Sequence, residues 1–207
     1  LRTDQPTLPT VARIGARVSA QVHEGCGVTW IHDTPSISPD LLSLLYLAIG
    51  LQLGKTIDVY GRLYDVRDSG QSYRDVPIPV SRTRESMGLH TDSSNKGIWP
   101  RTIGLACVRP SLAGGASRLI SVKRVHARLA THAPDMLKVL HTPFFRDIVT
   151  PGSGRSPARV RANAFPIFTT TPQITMRYMR YWIETGHEIT GVPILEEERT
   201  AMDALDR

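Results

Sequence analysis

The chain has 207 residues, 41% apolar, 21% charged and 6% aromatic, the profile of one or at most two soluble globular domains with a sizeable core rather than of a disordered or collagen-like chain. Its longest apolar run, Leu41 to Leu51, is broken by Ser43 and Gly50 and falls short of the roughly 18 uninterrupted apolar residues of a membrane helix. A net charge of +6 and a pI near 9.7 raise a nucleic-acid partner, yet the cations are mostly Arg, spread along the chain beside acidic residues.

The one local cluster, Arg155, Arg159 and Arg161, sits in a loop rich in Pro, Gly and Ser. An anionic small molecule accounts for this balance as well as RNA does. The expectation is therefore a small-molecule substrate, no nucleic acid and no membrane; a homo-oligomer is compatible with it. No secretory pattern is visible near Leu1. Cys26 and Cys107, far apart in apolar contexts, are expected to be small buried hydrophobes without a disulfide, which suits a reducing, cytoplasmic setting.

In chain order, Val11, Ile14, Val18 and Val22 have helical spacing, ended by Gly25, and Val28–Ile31 reads as a strand. Ser38 as cap, with Pro39 and Asp40 in the first turn, opens a helix through Leu53 that stops at Gly54. Thr56 to Val66 turns β-rich, and Asp68-Ser69-Gly70 punctuates it as a turn. Further strands are predicted at Val76–Val80, around Leu89, at Thr102–Val108 and at Arg118–Val122. Ala127 to Leu140 is helical with a boundary forced by Pro134. Ala164–Thr169 and Ile174–Ile183 read as strands, and a last helix starts at Leu195, with Met202 and Leu205 on the same face. Many strands with helices outside and no βαβ alternation predict a mainly β fold with flanking helices.

The chemistry centres on Leu89-His90-Thr91-Asp92-Ser93. In an extended segment residues i and i+2 share a face, so the His90 imidazole and the Asp92 carboxylate can meet at one ion. With a third, distant His this is the facial triad of non-haem Fe(II) oxygenases, which leaves positions open for a cosubstrate and O₂. By itself His-x-Asp also describes a surface His beside a turn-forming Asp.

The stretch from Thr102 to Ser117, a strand of small apolar residues leading to Gly114-Gly115-Ala116-Ser117, resembles the segment after the metal motif in the taurine dioxygenase and clavaminate synthase-like family of Fe(II)/2-oxoglutarate oxygenases. The helix from Pro39 to Leu53, the Val125-His126 helix with Leu129, Pro134 and Leu137, the 174–183 segment and the last helix are similar to that family too. The resemblance runs from about Gly25 onward. It implies a double-stranded β-helix, the jelly-roll or cupin-like core, as one oxygenase domain over 1–207. It also implies Fe(II), 2-oxoglutarate and O₂ as cofactor and cosubstrates, His90 and Asp92 as metal ligands, and Ser117 as donor to the distal carboxylate of 2-oxoglutarate. An Asp at the second ligand position favours oxygen transfer over halogenation, and the implied reaction is hydroxylation of an unactivated C–H.

The family's second metal His and its carboxylate-clamping Arg have no match, and the last helix carries no stop signal before Arg207. The strands that bear those motifs are expected to be missing from this sequence, leaving the core incomplete at its C-terminal end. His187, with Arg199 downstream, is the weaker substitute for the third ligand; Glu188 to Gly191 reads as a turn around it. The remaining histidines read as surface or capping residues. Arg177 and Arg180, alternating with Tyr178 and Tyr181 on a predicted strand, and Arg62 on the earlier one, are candidate substrate contacts, each equally readable as a solvent-facing strand arginine. Trp99 and Trp182 read as core. An inactive remnant serving as a binding module is the competing reading.

Overall fold

The computed structural model describes residues 8–73, 75–76, 78–93, 95–149 and 155–207. They form two compact units, one from residues up to Asp65 with Arg101–Gly115, the other from Val66–Pro100 with Ala116–Arg207. No helix among the described residues is long and apolar enough to cross a membrane.

The first unit is a helical pair. Helix α1, Pro9–His23, and helix α2, Pro39–Leu53, form where the spacing and caps predict, and the Ser38 hydroxyl accepts from the Leu41 amide. At Gly15 they pack tightly enough that an added Cβ would run into the Gln52 side chain. The Tyr46 hydroxyl donates to the Gly104 carbonyl at 2.7 Å and ties the 101–115 segment to α2. The expected strands Val28–Ile31 and Thr102–Val108 are absent, and Thr56–Val66 carries a lone bridge between Val59 and Gly61. Strand propensity becomes a strand where a neighbouring edge completes the ladder, and these segments have no such ladder among the described residues. Cys26 and Cys107 are free but exposed, not buried; with no sheet formed around them, their apolar neighbours enclose nothing.

The second unit holds the core. Helix α3, Val122–His132, is capped by the Ser121 hydroxyl, and Pro134 opens helix α4, Pro134–Leu140. Strand β1, Pro143–Phe145, pairs antiparallel with β2, Ala164–Pro166, across helix α5, Pro157–Ala162. Strand β3, Phe168–Thr169, pairs antiparallel with β4, Thr175–Met176. Helix α6, Arg180–Thr190, ends at Gly191 with φ 68°, and helix α7, Glu196–Asp206, begins where the Glu198 carboxylate accepts from the Leu195 amide. Leu140, Phe144, Phe168, Ile183 and Met202 are fully buried at the centre.

Several expectations are corrected here. Val76–Val80, Arg118–Val122 and the Leu89 region form no strand; Val80–Arg82 is a short 3₁₀ turn, and Pro77 lies outside the described residues. The 174–183 segment is a strand only at Thr175–Met176 and turns into α6 at Arg180. Trp182, Ile183, Gly186, His187 and Thr190 are its buried residues, a helical period that prevails over the short Arg/Tyr alternation. A mainly β core is thus not formed among the described residues, which carry two two-stranded sheets. Trp182 is core, whereas Trp99 is half exposed.

His126 and His141 are half-buried partners, not surface caps. Their Nε2 atoms lie 3.3 Å apart, and His141 Nδ1 donates to the Phe168 carbonyl at 3.0 Å. Burial, and then the neighbouring His141, holds the His126 imidazole below its usual value. Below about pH 6.5 the unfolded chain therefore binds more protons than the fold, so this residue's contribution to stability is lost as pH falls. His126→Gln is expected to lessen the drop in Tm between about pH 7 and about pH 5.5.

Gly186 on α6 packs against the backbone of Arg146, where an added Cβ would lie 2.7 Å from Cα. Helix propensity alone favours Ala there by about 1 kcal/mol, but the contact is with main chain and cannot yield cheaply. Gly186→Ala is expected to destabilise by about 1–3 kcal/mol in urea unfolding, the cost of overpacking.

Candidate active site

His90 is half-buried and Asp92 exposed, with Thr91 between them pinned to the core. The Thr91 amide donates to the Tyr178 carbonyl at 2.7 Å, and the Thr91 hydroxyl accepts from the Tyr178 amide at 2.9 Å. A side-chain oxygen thus replaces a main-chain carbonyl in a two-point ladder. Leu89 and Asp92 are bends on either side of this anchored residue, so the segment that carries His90 and Asp92 is held at Thr91 without forming a strand.

His90 Nδ1 lies 2.8 Å from the Gly88 carbonyl. A carbonyl only accepts, so Nδ1 carries the proton and Nε2 holds the lone pair in the neutral ring. Metal-binding histidines are oriented in this way by a carbonyl on their other nitrogen.

After Asp92 the chain turns sharply: Ser93 has φ 75°, the left-handed region that non-glycine residues seldom occupy. Arg177 holds this turn. Its guanidinium donates to the carbonyls of Lys96 at 3.2 Å, Ile98 at 3.1 Å, Ser93 at 3.4 Å and, closest, Asn95. The Asn163 side chain adds a bond, accepting from the Lys96 amide at 2.7 Å.

Arg177 also lies over the Phe165 ring, 4.1 Å from its centroid, and Arg146 approaches the same ring at 3.8 Å. Arg146 donates to the carbonyls of Phe144, Phe165 and Arg177. Burial, and then the charge of Arg177, pushes the Arg146 guanidinium down to about 9. Burial also lowers Arg177.

The other sequence candidates sit elsewhere. Arg180 opens α6 and pairs with Glu184 at 2.8 Å, Asp203 at 2.5 Å and Asp206 at 2.9 Å. Burial opposes its charge, but those three carboxylates win and hold its guanidinium above the usual range. Burial and the bond to Asp206 push the Tyr178 phenol up. Arg62 is exposed on the first unit, 3.9 Å from Asp58. Ser117 is exposed on the extended segment before α3.

His187 is buried in the last turn of α6 rather than in a turn, with Nδ1 donating to the Val192 carbonyl at 3.0 Å and Nε2 buried without a partner among the described residues. No hydrogen bond or ion pair joins Ser117 or His187 to residues 90–92 among the described residues. Nor do the described residues gather three His, Cys, Asp or Glu side chains suited to one metal ion.

A model of the taurine catabolism dioxygenase TauD, TfdA family matches residues 4–207. The chain belongs to this family. A search of curated proteins returns no match. Membership makes the chain a relative of oxygenases that use Fe(II), 2-oxoglutarate and O₂, and it implies a cupin-like fold. Imidazole and carboxylate are the donor types of a 2-His-1-carboxylate iron site, and His90 and Asp92 supply one of each, with no hydrogen bond on His90 Nε2 among the described residues.

Sequence reasoning missed Thr91, Asn163 and Arg146, whose hydrogen bonds go to Tyr178, to the Lys96 amide and to the Arg177 carbonyl. Thr91 had a visible signal, as the middle residue of His-x-Asp; Asn163 and Arg146 act across long sequence separations and had none.

The Arg180 cluster is expected to be structural. Arg180→Met leaves Glu184, Asp203 and Asp206 without their cation and is expected to cost about 1–2 kcal/mol near neutral pH, the scale of several partly exposed charge-assisted bonds. In urea titrations the loss should shrink at about pH 3, where the carboxylates take up protons.

Proposed function

We propose that the chain is an Fe(II)/2-oxoglutarate-dependent dioxygenase that hydroxylates an unactivated C–H of a small polar substrate, such as an amino-acid derivative or a biosynthetic intermediate. The observation that carries this reading is His90: its Nδ1–H is committed to the Gly88 carbonyl, which leaves Nε2 as a ligand two residues from the exposed Asp92 carboxylate. Bound iron would supply the oxidising chemistry, in which 2-oxoglutarate loses CO₂ to become succinate and one oxygen atom of O₂ enters the substrate.

The chain's own residues then have defined work. His90 and Asp92 would hold the ion, Thr91 anchors the residue between them to Tyr178, and the Ser117 hydroxyl would donate to the distal carboxylate of 2-oxoglutarate. The net positive charge suits an anionic cosubstrate. A facial set needs a third donor, and His187 is the candidate within this sequence.

Anaerobic titration with Fe(II) and 2-oxoglutarate tests the reading. The expected outcome is the weak visible charge-transfer band of chelated cosubstrate, abolished by His90→Ala and by Asp92→Ala. Loss of the band in His187→Ala would assign the third ligand. A band unchanged in His90→Ala would overturn the proposal.

A further inference from the structure

We propose that Arg177 is a positioning residue of the candidate iron site: its guanidinium fixes the turn after Asp92 and through it the placement of the Asp92 carboxylate. The inference rests on the reading of His90 and Asp92 as metal ligands.

Arg177 was a candidate substrate contact, but its terminal nitrogens face the protein. They donate to the carbonyls of Ser93, Asn95, Lys96 and Ile98, four groups within one short stretch of chain. The residue is 7% exposed, and its Nε has no partner among the described residues. A buried cation that engages carbonyls is held by their dipoles, and it holds them in return. The planar fork reaches several oxygens at once, which a lysine ammonium does not reproduce.

The strain lies at the point such a clamp would act upon. Ser93, directly after Asp92, keeps a left-handed φ of 75°. A non-glycine residue there is strained and persists where surrounding contacts over-determine it. Those contacts are visible: Arg177 on the Ser93 carbonyl and on the residues after it, Asn163 on the Lys96 amide, and Tyr178, next in sequence to Arg177, on Thr91. Arg177 and Tyr178 therefore hold the motif at two points, one after Asp92 and one between the two candidate ligands. Phe165 and Trp99, at 4.1 and 5.5 Å from the Arg177 guanidinium carbon, flank the group.

The test compares the wild-type chain with Arg177→Met and Arg177→Lys, with His90→Ala and Leu137→Ala as controls. Two readings are taken: anaerobic Fe(II) affinity by calorimetry, and amide hydrogen exchange of Ser93 and residues 95–98 without metal. Arg177→Lys keeps the charge and the stem, so it guards against an unfolded Met variant.

Supporting the inference, both Arg177 variants lose roughly 10- to 100-fold in Fe(II) affinity, the range for residues that orient metal ligands. Their amides at Ser93 and 95–98 then exchange faster, while Leu137→Ala, destabilised in the core, keeps wild-type affinity. Affinity within twofold of wild type in a folded Arg177 variant, rescue by Arg177→Lys, or an equal loss in Leu137→Ala overturns it. If His90→Ala binds Fe(II) as the wild type does, the metal reading itself fails and the inference falls with it. That outcome is distinct, because it appears in the His90 variant whatever the Arg177 variants do.

Discussion

Two guanidinium groups buried against one phenyl ring organise the second unit. Arg146 and Arg177 both lie over Phe165, and no carboxylate pairs with either among the described residues. Removing an unpaired charge from water costs several kcal/mol per ion unless polar groups replace the water. Here carbonyl oxygens do so: those of Phe144, Phe165 and Arg177 for one cation, those of Ser93, Asn95, Lys96 and Ile98 for the other. Each guanidinium therefore dictates where several strands of chain must run. Strand β2, the 177–178 segment and the His-x-Asp segment are brought side by side by charge, although few ladder bonds link them.

The same arrangement explains what the sequence disclosed. Helices α1, α2, α3 with α4, and α7 were legible because their signals are local: Ser38 and Pro39 at one start, Pro134 at a boundary, a stripe of Leu and Met on a face. His90 and Asp92 stood out as a candidate pair from local sequence too, since in an extended segment residues i and i+2 share a face. Thr102–Val108 and Thr56–Val66 misled because a strand is a property of two segments, and a suitable composition does not provide the second. At 180–190 the Arg/Tyr alternation masked a helical period whose evidence begins only at Trp182. Arg177 could not be placed from sequence, because a guanidinium that faces carbonyls 79 to 84 residues away looks like one that faces solvent.

The core and the motif meet at Tyr178. Its ring is buried in the cluster with Leu140 and Phe168, its hydroxyl donates to Asp206 on α7 at 2.7 Å, and its backbone pairs with Thr91. Packing of α7 and placement of the candidate ligands thus share a residue, so disturbance at the last helix reaches the motif through a single side chain and its main chain.

The 102–108 segment, which forms no strand, bears on how copies of the chain behave together. Ile103, Leu105 and Val108 are exposed, and an open backbone edge beside apolar side chains is a template for another edge of the same kind. The net charge of +6 opposes that encounter. Repulsion between surfaces reaches only about 8 Å at physiological ionic strength and less in stronger salt. Concentrated salt, which shields charge and strengthens apolar association together, therefore favours that encounter on both counts.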